Sequence, residues 1–401
     1  MAMATNRDDG GPRPTGPARG FTEAELAQRT HRAQTLMRDA GFDLLLLTTE
    51  PEVRYFSGFL TPFWQSPTRP WFLLLPSSGK PVAVIPEIGG ACMARTWLDD
   101  IRTWPAPRPA DDGVGLLADA IRELAGNAAS IGLPMGHESH LRMPVGDFQR
   151  LRESLPDVRV GDATPLVRRL RMVKSDAEVA KIGHVATLVC DAFDAAPKLF
   201  HAGLPLVEAF RAFKTTCLTR GVDDVPYLVG GAGPGGYGDI ISPPGERPLA
   251  EGDVLMLDTG CTFDGYFCDF DRNFAIGDAG DAARRAYDTL YRATEAGLAA
   301  VRPGVTCRDL FRSMLGVLEA DGGVTGNVGR FGHGLGMQLT EWPSHADFDA
   351  TVIESGMVLT LEPALVYGDG QVMVHEENLV VRDDSPELLT RRAPPELPRI
   401  G

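Results

Sequence analysis

Cationic residues are in the minority in this chain. Its 39 Lys and Arg face 54 Asp and Glu, a net charge of −15, which disfavours nucleic acid or an anionic membrane as main partner because both are held by basic surfaces. Long apolar runs are missing too. No stretch approaches the roughly 18 unbroken apolar residues of a membrane-spanning helix, and Met1 to Gly20 has no apolar core of signal-peptide length. Cysteine is sparse. The six, Cys92, Cys190, Cys217, Cys261, Cys268 and Cys307, show no CxxC spacing, and several lie in apolar segments, which reads as reduced thiols. These absences predict a cytoplasmic protein that handles a small molecule or short peptide, with no membrane and no nucleic acid.

With 401 residues, 43% hydrophobic and 23% charged, the chain is long enough for two ordinary globular domains. Residues 1–20 read as a flexible tail. From 21 to 165, helical and strand patterns alternate: a helix capped at Thr22 and ended by Gly41, the strand Phe42–Thr48, strands at 71–75 and 80–85, a helix over 112–125, a strand at 129–133 and a helix over 144–155. That alternation predicts an α/β domain. At Pro165 to Lys174 the composition turns basic, and Ser175 with Glu178 has capping-box spacing, so a second domain is placed at 166–401. It opens with helices from Ser175 and Leu206. Residues 230–245, with seven glycines and three prolines, read as an irregular loop, and two further helices are expected over 281–301 and 306–320.

Between those helices lies the segment Val254 to Ile276, which sets acids inside an apolar run. Asp264-Gly265 signals a tight hairpin. With those two as the loop, Asp258 stands opposite Asp271 and Asp269 sits two positions along the same face. Directly opposed side chains are only about 4.5–5.5 Å apart, so three buried acids call for a compensating cation. Further on, Gly332-His-Gly-Leu-Gly336 flanks His333 with glycines. Glu362 ends the apolar strand Met357–Leu361, and His375, Glu376 and Glu377 sit inside another, with Gly368-Asp-Gly370 able to turn one strand onto the next. On alternation His375 and Glu377 share a face and Glu376 points away; which face looks at the site stays open at this level. Two Asp, one His and two Glu make an oxygen-rich donor set with one nitrogen. Such a set favours two carboxylate-bridged divalent ions, of the Mn, Fe, Co or Zn kind, over a structural zinc.

These motifs resemble the methionine aminopeptidase, aminopeptidase P, prolidase and creatinase superfamily, the M24 metallopeptidases. The likeness runs from Leu257-Asp-Thr-Gly260 through Gly265-Tyr266, Asp269 and Arg272 to Gly332–Gly336, Glu362-Pro363 and Glu377-Asn378. It implies an α+β fold: a pita-bread catalytic domain behind a creatinase-type N-terminal domain, the Xaa-Pro peptidase branch. It implies Asp258, Asp269, His333, Glu362 and Glu377 as ligands of two divalent ions, manganese foremost, and a homodimer in which Trp64 and Arg69, with Phe63, reach substrate. The implied activity is hydrolysis of an amide or peptide bond in a small substrate. A metal-dependent lyase of sulfoniopropionate type and a creatinase-type C–N hydrolase are the alternatives.

Three departures from the family pattern stand out. Its peptidases usually carry histidines seventeen residues before the first ligand Asp and seven after the ligand His; here Ile241 and Thr340 stand there. Asp271 occupies a usual threonine position, where it is expected to support the metal site from behind. Glu362 is expected to take the proton from water by family analogy, and His375 to replace a lost general acid. Tyr237 and Thr340, then Asp239 and Glu341, are candidate substrate contacts.

Overall fold

The computed structural model describes residues 16–66, 69–323, 325 and 329–401, so most of the tail expected over 1–20 lies outside the described residues. Two compact units form, one of residues 19–173 and one of 174–401 together with residues 16–18. The division therefore falls after Val173 rather than at 165/166. The basic stretch there is the outer face of a helix, Thr164–Met172, whose Leu166, Val167, Leu170 and Met172 are buried, and Tyr55 Oη donates to Leu170 O at 2.9 Å within the first unit. The change of composition marks an amphipathic helix of the first unit, not the start of the second.

In the first unit Leu44–Leu47 is buried on both faces and lies inside a six-stranded sheet. It pairs antiparallel with Phe72–Pro76 and parallel with Ser130–Leu133, which four consecutive leucines suit because both faces must be covered. Leu117 and Ile121 of the helix Val114–Ala125 pack on Leu44, Leu46 and Phe72.

The second unit runs helix pair, sheet, helix pair, sheet. Asp176–Phe193 and Leu206–Arg220 cover a sheet of Asp224–Pro234, Asp253–Phe263 and Phe270–Ile276, with Phe193, Phe210 and Phe213 packed among Leu255, Phe270 and Phe274. Gly280–Ala300 and Cys307–Ala320 precede a second sheet that holds His333–Gly334, Val358–Leu361 and Glu377–Val380. The hairpin register is the one that Asp264-Gly265 dictates. Both residues have positive φ, 46° and 66°, Phe263 faces Tyr266, and Asp258 faces Asp271.

Part of the expected loop at 230–245 is strand instead. Asp224–Pro234 pairs with Asp253–Phe263 along its length. At Gly230, where φ is +144°, a Cβ would lie 2.1 Å from Met256 O. Glycine there admits the neighbouring backbone, so a composition that reads as loop codes for a close-packed strand.

Candidate metal centre

Asp258 lies in a long strand with buried neighbours on both sides, and its mostly buried carboxylate takes a hydrogen bond from Tyr227 Oη at 3.3 Å. Asp269 occupies the break between two strand segments, Tyr266–Phe267 and Phe270–Ile276. There the Asn378 side chain replaces a strand neighbour: its Oδ1 accepts from Asp269 N at 2.9 Å and its Nδ2 donates to Asp269 O. This two-point amide clamp fixes the main chain from which the Asp269 carboxylate projects. Asp271 is 2% exposed and is held through one oxygen, which accepts from Asn273 Nδ2 at 2.6 Å.

His333 comes in on a two-residue strand bordered by glycines that cannot be replaced without collision. A Cβ at Gly332 would fall 2.3 Å from both Thr360 O and His345 Cδ2, and one at Gly334 2.4 Å from Trp342 O. The His333 amide donates to Thr360 Oγ1 at 3.0 Å, and Nδ1 bonds Gly334 O at 2.9 Å. A carbonyl can only accept, so Nδ1 carries the hydrogen and Nε2 keeps its lone pair. That nitrogen lies 3.5 Å from Asp269 Oδ2 and 3.8 Å from Glu362 Oε1.

The last carboxylate is Glu376, not Glu377. Ligand atoms of Asp269, His333 and Glu376 lie within 4.8 Å of one another, and all three residues are buried. Alternation does put His375 and Glu377 on one face, as expected, but that face turns away from the cluster. Glu377 is fully committed there: Arg272 Nη2 and Arg392 Nη1 each donate to it at 3.1 Å, Ala393 N at 2.8 Å, and Thr390 Oγ1 bonds it as well. His375 likewise contacts Thr294 Oγ1 at 3.0 Å and Arg392 Nη1 at 3.3 Å, between Tyr287 and Tyr291. It is a core histidine, 2% exposed, with both ring nitrogens in contact with protein groups.

Burial dominates the electrostatics. It pushes the Asp258 and Glu362 carboxyls up to about 7, with Arg330 opposing the shift at Glu362. Asp269, Asp271 and Glu376 rise well above the usual carboxylate range through burial and mutual repulsion. Burial also lowers His333 to about 3, leaving the imidazole neutral. Glu377 goes the other way, since Arg272, His375 and its hydrogen bonds outweigh its burial. Buried Asp258 Oδ1, Asp271 Oδ1 and Glu376 Oε1 have no hydrogen-bond partner among the described residues. Crowded acids with orphaned oxygens and one imidazole lone pair fit divalent ions, because such atoms are costly unless something positive meets them.

The remaining expected contacts scatter. Tyr237 is 3% exposed and acts as a strut, donating to Asn273 Oδ1 and accepting from Val374 N, both at 2.9 Å. Trp64 is buried against Phe59 and Trp71 in the first unit, and the Arg69 carbonyl accepts from Arg142. Asp239 caps its own turn at Ile241 and Ser242, and Glu341 pairs with buried Lys174 at 3.3 Å. Thr340 does lie near the cluster: its Oγ1 accepts from Arg330 Nη2 at 3.4 Å, and Arg330 Nε is 3.9 Å from Glu362 Oε1. Tyr227 and Arg330 carry no sequence signal of their own. Asn378, beside a glutamate already under suspicion, does, in Glu377-Asn378.

Comparison with known proteins finds relatives along nearly the whole chain. The profile described as Metallopeptidase family M24 matches residues 180–383, and the Creatinase/Prolidase N-terminal domain matches 29–173. The probable dipeptidase PepE of Mycobacterium tuberculosis is 26% identical over 95% of this chain and 98% of its own. The crystal structure of dipeptidase PepE from Mycobacterium ulcerans superposes with TM-score 0.82 at 28% identity, covering 95% and 99% of the two chains. Recombinant prolidase from Thermococcus sibiricus shares the fold, with TM-score 0.83 at 22% identity over 95% of this chain and 100% of its own.

Proposed function

Since the chain belongs to metallopeptidase family M24, we propose that it is a dinuclear, metal-dependent peptidase of short peptides whose ions are held by Asp258, Asp269, His333, Glu362 and Glu376. One observation carries this reading: Asp269, His333 and Glu376 converge within 4.8 Å while buried, with the mostly buried Asp258 and Glu362 at the edge of the cluster. Divalent ions at such a set supply Lewis acidity and make water acidic enough to ionise near neutrality. Manganese suits the predominance of oxygen donors, with Fe, Co or Zn as competitors.

The protein's own groups divide the remaining work. Glu362, whose Oε1 lies 3.8 Å from His333 Nε2, is the carboxylate that would take the proton from water, the role the family resemblance implies for it. Arg330 sits beside it at 3.9 Å and orients an anionic end of the substrate, as guanidinium groups do for carboxylates. Thr340 supplies a hydroxyl where the family usually has histidine. A homodimer is expected from the family resemblance, and a cytoplasmic location from six free thiols; no described helix is long and apolar enough to cross a membrane. The test is elemental analysis of the metal-loaded protein together with turnover of a dipeptide panel. Two ions per chain with dipeptide cleavage is the expected result, and an ion-free, inactive protein after loading overturns the assignment.

A further inference from the structure

Asp271 is a buried acid with half of its carboxylate accounted for. Its Oδ2 accepts from Asn273 Nδ2, which also donates to Val374 O at 2.7 Å, and Asn273 Oδ1 is fixed by Tyr237. This chain of bonds leaves Oδ1 buried and without a partner among the described residues. Arg272 does not reach it, because that guanidinium runs to Glu377, to the carbonyls of Glu376 and Arg391 and, from Asp271, to the main-chain oxygen only. Across the hairpin the residue directly opposite is Asp258, whose own Oδ1 is buried and unpartnered. Opposed side chains of an antiparallel pair stand about 4.5–5.5 Å apart. One divalent ion bound between them would satisfy both oxygens.

We propose that Asp271 is itself a ligand, sharing with Asp258 one of the two ions, so that this centre has a carboxylate more than the family pattern implies. The inference rests on the metal centre proposed above. Five carboxylates, Asp258, Asp269, Asp271, Glu362 and Glu376, exceed the charge of two divalent ions. The added hard oxygen tightens the ion beside Asp258 and favours Mn²⁺ over Zn²⁺ there. Removing it should weaken that ion selectively.

The experiment compares wild type with Asp271→Asn and Asp271→Thr, each stripped with chelator. Asn keeps an oxygen for Asn273 to bond, and Thr is the residue usual in the family, so one of the two should fold if the other does not. Mn²⁺ is titrated in competition with a fluorescent chelator, and Co²⁺ is followed by its visible absorption. The expected outcome is a loss of about tenfold or more in the affinity of one ion, at least the lower bound for disturbing a ligand's surroundings, with an altered Co²⁺ band and little change at the other ion. Wild-type affinities and an unchanged Co²⁺ spectrum in both variants would overturn the role of Asp271 while leaving the metal centre standing. A wild type that binds no ion at all would overturn both.

Discussion

A carboxylate clamped by two guanidinium groups and one with an orphaned oxygen should respond in opposite ways to losing their charge, and Glu377 and Glu376 offer both cases side by side. Glu377→Gln leaves Arg272, only 8% exposed, without its counter-charge. Breaking a buried pair in this way costs about 3–5 kcal/mol, so a clear fall in the denaturant midpoint is expected, with metal affinity recovered in the molecules that fold. Glu376→Gln should keep or raise the stability of the metal-free protein and lose metal, as read by elemental analysis. The same reasoning gives a pH dependence. Asp258 and Glu362 are held up at about 7, against about 4 in an unfolded chain. Between those values the metal-free native state binds protons that the unfolded chain does not, so this stabilisation is full below about pH 4 and is lost as pH rises through about 7. Chelator-stripped protein should therefore unfold at lower denaturant near pH 8 than near pH 5, a trend that Mn²⁺ should flatten.

At the level of elements, the strand Asp224–Pro234 positions Tyr227 against Asp258 through a backbone that only glycine allows. Gly230→Ala would set a Cβ 2.1 Å from Met256 O at a φ of +144°. A loss of at least about 1–3 kcal/mol is expected from such strain, with weaker metal binding because the strand must shift; thermal melts and chelator competition on one preparation measure both. This strand marks where reading from sequence runs out. Capped helices such as Asp176–Phe193 were legible from Ser175 and Glu178, and the hairpin register from Asp264-Gly265, because those signals act through neighbours in the chain. The glycine strand depends on how closely another strand approaches. The choice between Glu376 and Glu377 depends on which side of a sheet Arg272 and Arg392 occupy, so alternation could pair His375 with Glu377 but could not orient the pair. Asp258, Asp269, His333 and Glu362 stood out as anomalies in their apolar or glycine-rich surroundings, and it was the family resemblance that implied them as one ligand set.

For the whole molecule, the clearest expectation concerns proline peptides. The two positions where the family usually carries histidine hold Ile241, which is 72% exposed, and Thr340, which lacks an ionisable group. General acid–base assistance is worth about 10²–10⁴-fold, and Xaa-Pro dipeptides should turn over that much more slowly here than in relatives that keep both histidines. Rates on matched Ala-Pro and Ala-Ala substrates would decide it, and brisk Ala-Pro cleavage would show that Arg330 or another group has taken over. The clamp on Glu377 bears, finally, on the order in which the molecule comes into being. Its donors Thr390, Arg392 and Ala393 and the strand Arg399–Ile400, which pairs with Ala275–Ile276 beside the hairpin, leave the ribosome long after Asp258, Asp269 and Asp271. Throughout that interval the acidic hairpin has emerged without the segment that orients Glu376, so a nascent chain short of residue 390 should hold metal poorly and invite proteolysis, and competence should arrive abruptly once residues 390–400 have emerged.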